Sequence, residues 1–142
     1  MACPACERIA GIHSDPAFLA ELKESYAVLA DAQGYVGWCT LILKEHAEHL
    51  HGLPTERQAS LFEDVARVAA AVRKVFQPKR LNYECLGNVT PHVHWHVIPR
   101  YADDPEPGAT VWVRPAAERE APATPAQREE RAGKLREALG AG

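Results

Sequence analysis

No apolar run in this chain of 142 residues approaches the ~18–20 residues that a bilayer-spanning helix needs. The first residues, Met1-Ala2-Cys3-Pro4-Ala5-Cys6-Glu7-Arg8, lack the apolar stretch of a secretion signal, so none is expected. Neither sign of charge is in surplus. Sixteen Lys and Arg against nineteen Asp and Glu leave a formal net charge of −3, with a pI of about 6.2. That balance argues against a dedicated DNA or RNA groove and against a membrane-surface binder. Cysteine is sparse, with four in all, and without an export signal the expected setting is a reducing cytoplasm. The hydrophobic content of 46% is enough for one ordinary core.

Against that plain background stands His92-Val93-His94-Trp95-His96-Val97-Ile98. In an extended strand successive side chains point to opposite faces. The three imidazoles are therefore expected in a row on one face, with Val93, Trp95 and Val97 packed into the core behind them. Such a row near neutral pH can supply a nucleophile, a hydrogen-bond donor or a proton carrier. A metal site competes with that reading, but residues four apart on a strand lie ~13 Å from each other at ~3.3 Å per residue. One ion with Zn–N bonds of ~2.0 Å does not span the row, although two of the three could share it.

The rest of the chain reads as α+β: an antiparallel sheet of about five strands with one long helix packed on it. Phe18–Leu22, Ser25–Ala30, Trp38–Leu43, Leu81–Leu86 and His92–Ile98 are the expected strands. Gly87-Asn88 turns between the last two. Thr55 and Gln58 are spaced as a capping box at the start of a helix. Leu61, Val65, Val68, Val72 and Val75 continue it at helical spacing, and Gln77-Pro78 stops it. Residues 1–115 form the expected domain. Residues 116–142 are a charged tail in which Thr124 opens a helix over Gln127–Leu139, with only Leu135 and Leu139 to bury; loose docking or mobility is expected. Cys39 and Cys85 read as small buried side chains.

The His-x-His-x-His run, with Leu86-Gly87-Asn88 upstream, Pro91 before it and Pro99-Arg100-Tyr101 after it, resembles the signature of the histidine triad (HIT) superfamily of nucleotide hydrolases and transferases. Leu81 to Tyr101 reads much like small bacterial members with an LGN…HxHWHxxPR core, and the likeness extends back to about Phe18. The resemblance implies cleavage of a nucleotide conjugate at its α-phosphate, such as a dinucleoside polyphosphate or a nucleoside phosphoramidate, through a nucleotidyl-histidine intermediate. His94, central in the row, is the expected nucleophile. His96 is expected to contact the phosphate and assist proton transfer. His92 supports them, its backbone carbonyl orienting the His94 ring. Asn82, Gly87 and Asn88 are the expected phosphate contacts, although Gly87-Asn88 also suits an ordinary turn. Better-known branches carry a hydroxyl three residues before the first His. Here Val89 occupies that place and Thr90 stands one position late. Asp31 reads equally as a ribose contact and as a local backbone cap.

Cys3-Pro4-Ala5-Cys6 can be half a zinc site or a redox pair, and a thioredoxin-like role wants a preceding strand that residue 3 leaves no room for. Relatives with an N-terminal CxxC imply His46 and His92 as the other two ligands of a structural Zn2+, with His49 a spare candidate. The resemblance also implies an adenine-containing nucleotide and a homodimer, with Trp112 near the partner subunit. Two alternatives stay open: a non-catalytic nucleotide-binding regulatory protein, and a metalloenzyme in which His92 and His94 hold the metal.

Overall fold

In the computed structural model, which describes residues 2–140, five strands form one sheet: β1 (Phe18–Glu21), β2 (Ser25–Leu29), β3 (Cys39–Leu43), β4 (Arg80–Glu84) and β5 (His94–Arg100). Their spatial order is β1-β2-β3-β5-β4, and every neighbouring pair is antiparallel. The helices are α1 (Pro4–Ala10), α2 (Thr55–Phe76), α3 (Ala116–Arg119) and α4 (Pro125–Ala138). No described helix is long and apolar enough to cross a membrane. The expected α+β architecture, with one long helix on an antiparallel sheet, is the one observed.

Because α2 carries the chain from β3 to β4, β5 falls between those two strands rather than at the edge. Its partners fix which residues share a face. Thr40 pairs with His96, Leu41 with Trp95 and Ile42 with His94, while Glu84 pairs with His96 on the other side. Trp95 and Val97 point to the α2 side. There Leu41 and Val97 are fully buried with Val65, Val68 and Val72 of the helix, and Trp95 packs at 5.3 Å, ring to ring, on Phe62. The apolar stripe of α2 follows the i, i+4, i+7 spacing read from the sequence. Gln77 ends the helix in the left-handed region at φ 51°.

Several local expectations are corrected. The Thr55/Gln58 capping box does not form. Pro54 is the N-cap residue, its carbonyl accepts from Arg57 and Gln58, and the Gln58 amide donates back to Leu53 O at 2.8 Å. β5 begins at His94 rather than His92. The N–H of His92 is drawn into a turn on Thr90 O at 2.8 Å, and that of Val93 goes to Ala47 O at 2.7 Å. β4 ends at Glu84, which leaves Cys85 exposed in the following loop, whereas Cys39 is buried as expected.

The C-terminal segment is not a loose appendage. Ala132, Leu135 and Leu139 of the α4 region lie in the main core. Thr124 and Gln127 cap the helix reciprocally. Arg128 donates to Ala30 O and Arg136 to Phe18 O, so the helix is fastened across β1 and β2. Counting large apolar residues missed this, because Ala132 and backbone-directed arginines carry much of the docking.

Candidate active site and metal centre

The segment Thr90–His96 positions the site. His92 is fully buried, so the expected open row of three imidazoles is reduced to two. Its Nε2–H donates to Leu43 O at 2.8 Å, which leaves a lone pair on Nδ1. That Nδ1 lies 3.5 Å from Cys3 Sγ, 3.5 Å from Cys6 Sγ and 3.3 Å from His46 Nδ1. Cys6 Sγ is in turn 3.6 Å from His46 Nδ1. All four donor atoms fall within 4.8 Å of one another.

The separations can be tested against a metal. A tetrahedral Zn2+ with Zn–N of ~2.0–2.1 Å and Zn–S of ~2.3 Å sets N···N edges of ~3.3 Å and N···S edges of ~3.6 Å. The observed 3.3 Å and 3.5–3.6 Å match. The Nε2–H to Leu43 bond supplies the outer hydrogen bond that fixes a ligating imidazole's tautomer. The residues present therefore fit zinc. The site also explains α1, which was not expected from the sequence. Cys3 is its N-cap residue and Pro4 its first helical residue, a position that suits proline, so the short helix is held against the sheet between the two thiols and the buried Ala5.

His94 stands next along the chain. Its Nδ1 lies 2.7 Å from the carbonyl oxygen of His92. A carbonyl only accepts, so Nδ1 carries the proton and Nε2 carries the lone pair. One residue thus serves both centres: the His92 ring faces the thiols while its carbonyl orients the His94 ring. His94 borders two clefts of about 240 Å³ each. Pro4, Ala5 and Arg8 of α1 line the first, together with Thr40, Thr90 and His96. Gly87, Cys85 and His49 line the second. His94 and His92 do not converge on a common ion, because Nδ1 of His94 is engaged by the carbonyl and His94 lies outside the four-residue cluster.

His96 packs against His94 with ring centroids 5.3 Å apart. Burial, aided by the neighbouring His94, pushes its pKa down to about 4, so at neutral pH the ring is uncharged. Two indoles enclose it: Trp38 at 5.6 Å and Trp112 at 5.7 Å. Trp38 Nε1 lies 3.0 Å from His96 Nδ1.

The other residues singled out in the sequence are placed as follows. Gly87 adopts φ +81°, a conformation that glycine takes readily, and borders the second cleft. Asn88 is exposed in the same loop. Asn82 lies away from the histidines: its amide oxygen accepts from Arg100 Nη1 at 2.7 Å, along a larger cleft of about 780 Å³ beside β4 that contains no histidine. Asp31, with a side chain 85% exposed, sits 3.8 Å from Arg8 and 3.7 Å from Arg128, so it is joined to the first cleft through Arg8. His49 and His51 stack on each other, outside the thiol cluster.

Sequence reasoning missed Trp38, Thr40, Arg8 and the site role of Trp112. Thr90, one position late in the motif, lines the first cleft with both histidines. Thr40 was recoverable by pairing β3 with β5. Trp112 had no local signal. It is brought back by the loop after β5, which Arg100 organises through Asp104 and the carbonyls of Glu106 and Ala109.

Comparison with known proteins finds histidine triad proteins. The family model for the HIT domain matches residues 13–103. The protein named "Protein hit" from Bacillus subtilis (strain 168) is 33% identical over 115 residues, 78% of each chain. A histidine triad protein from Marinobacter aquaeolei VT8 superposes with TM-score 0.77 at 25% identity, covering 93% of this chain and 94% of that one. A histidine triad family protein from Mycobacterium smegmatis, described as Zn-bound, gives TM-score 0.73 at 26% identity, covering 99% and 95%.

Proposed function

The chain belongs to the histidine triad (HIT) domain family, and from that premise we propose that it is a nucleotide hydrolase or nucleotidyl transferase in which His94 attacks the α-phosphorus of a nucleotide conjugate. The observation that carries this reading is the 2.7 Å hydrogen bond from His94 Nδ1–H to the His92 carbonyl. It leaves Nε2 as the nucleophilic nitrogen and gives the positive charge that develops on the ring a fixed acceptor. In the first step the Nε2–P bond forms and the bond from phosphorus to the leaving group breaks. In the second, water or another acceptor displaces His94 and regenerates the ring.

Substrates of this reading are dinucleoside polyphosphates or nucleoside phosphoramidates carrying adenine. Gly87 and Asn88 remain proposed phosphate contacts, and Asp31 a proposed ribose contact. The position of Asn82 beside Arg100 favours a structural role for it. Chromatographic assay with diadenosine tetraphosphate and with adenosine phosphoramidate, separately, tests the proposal. Turnover by the wild type and loss in His94→Ala is the expected result. Equal turnover by the two would remove His94 as nucleophile.

The Cys3, Cys6, His46 and His92 cluster is proposed as a structural Zn2+ site. It is supported by the edge lengths above and by the Zn-bound relative. When bound, the ion supplies a cross-link between α1 and the start of the triad segment. The chain's own residues do the rest: the His92 carbonyl orients His94, and α1 walls the first cleft. A homodimer through the β4 side is proposed as well, where Tyr83 and Val113 are 52% and 56% exposed. Sedimentation at micromolar concentration reads that state directly.

A further inference from the structure

We propose that Trp38 is a positioning residue for His96: its indole N–H holds the His96 ring in the single tautomer that carries its proton on Nε2, making His96 a fixed hydrogen-bond donor toward a phosphoryl oxygen. The phosphoryl part of this rests on the reading above; the tautomer does not.

An indole N–H donates and cannot accept. With Trp38 Nε1 at 3.0 Å from His96 Nδ1, that imidazole nitrogen presents its lone pair and the proton sits on Nε2. Trp38 is only 2% exposed, so its N–H has no water to turn to. A flipped or Nδ1-protonated His96 strands a buried donor, which is costly.

The ring is also held sterically. Trp38, Trp112 and His94 abut it at centroid distances of 5.6, 5.7 and 5.3 Å, inclined by 74°, 74° and 78°. The second indole does not compete for Nδ1, because Trp112 Nε1 donates to Glu84 Oε1 at 2.8 Å. The titratable groups around His96 are His94 on its own strand and Glu84, its register partner on β4; Thr40 faces it from β3. With its pKa pushed down to about 4 by burial and the adjacent His94, the ring is uncharged at neutral pH and keeps one N–H. His96 therefore meets the phosphoryl oxygen as a neutral ring with its Nε2–H as the donor.

Long-range 15N–1H correlation spectra of the histidine rings in the ligand-free protein test the tautomer. The expected wild-type pattern for His96 is a protonated Nε2 and an unprotonated Nδ1, unchanged between pH 6 and 8. In Trp38→Phe the His96 nitrogens are expected to shift toward tautomer-averaged values, while Trp112→Phe keeps the wild-type pattern. Titration with AMP tests the donor. With the donor tautomer reduced to one of two, AMP is expected to bind about 2-fold more weakly in Trp38→Phe. A protonated Nδ1 in the wild type overturns the proposal even if Trp38→Phe fails to fold. So does a Trp38→Phe protein with unchanged His96 shifts or unchanged AMP affinity. If the nitrogen pattern and AMP binding behave as expected while no nucleotide conjugate is turned over, it is the enzymatic reading that fails.

Discussion

A neutral imidazole enclosed by two indoles makes the fold acid-sensitive in a way that can be isolated. His96 has its folded pKa lowered to about 4 by burial and by His94, against about 6.5 in an unfolded chain. The unfolded state binds the proton more readily, so the stability tied to the neutral ring is fully present above pH 6.5. It is lost progressively as pH falls through the folded value. Linkage over that window gives a negligible effect at pH 7.5 and a loss of about 2.5 kcal/mol by pH 4.5. The perturbation is His96→Asn, which keeps an acceptor for the Trp38 N–H but does not titrate. Urea unfolding of both proteins at pH 7.5 and 4.5, in matched salt, gives the two stabilities. The remaining groups are common to both proteins and cancel in the difference. The wild type should lose about 2 kcal/mol more than the variant on acidification. Parallel losses, within about 0.5 kcal/mol, would refute the reasoning that this ring is held neutral by its surroundings.

Other outcomes follow from particular contacts. Leu135 of α4 is fully buried, so Leu135→Ala should destabilise by about 2–5 kcal/mol, while Lys134→Ala, on the exposed face, should change little in the same unfolding assay. Arg100→Met strips the bonds to Asp104, Asn82 and the 106–109 loop and leaves the Asp104 carboxylate, 1% exposed, without its ion. A loss of about 3–5 kcal/mol is expected, together with a weaker Trp112 contact readable by fluorescence. Purified protein should contain about one zinc per chain by elemental analysis, and Cys3→Ser/Cys6→Ser should contain none, since the four ligands form one closed set.

The sequence was most legible where chemistry and periodicity coincide. The alternation from Val93 to Val97 correctly placed Trp95 and Val97 on the helix side, and the valine stripe of α2 correctly marked its buried face. Legibility failed at the ends of elements. Alternation suggested that His92 shares an open face, but a turn at Thr90 starts β5 two residues later, and the His92 ring is buried against the thiols. It failed again where distant segments converge. Trp38 precedes its strand, Trp112 follows a long loop, and Arg8 arrives on a helix too short to announce itself by period. The pair Cys3 and Cys6 was readable as half a site from spacing alone, whereas its other half needed the resemblance. The C-terminal helix was expected to dock loosely because Leu135 and Leu139 are its only large apolar residues, whereas Arg128 and Arg136 bind the backbone carbonyls of Ala30 and Phe18.

The central claim is a transient bond between His94 Nε2 and phosphorus. Rapid quenching of the zinc-loaded protein mixed with diadenosine tetraphosphate, followed by denaturing mass spectrometry, reads it directly. A labile adduct with the mass of one nucleoside monophosphoryl group, mapped to the peptide carrying His94 and missing from His94→Ala, is the expected result. Turnover with no adduct at any quench time, or an adduct that survives His94→Ala, would contradict it.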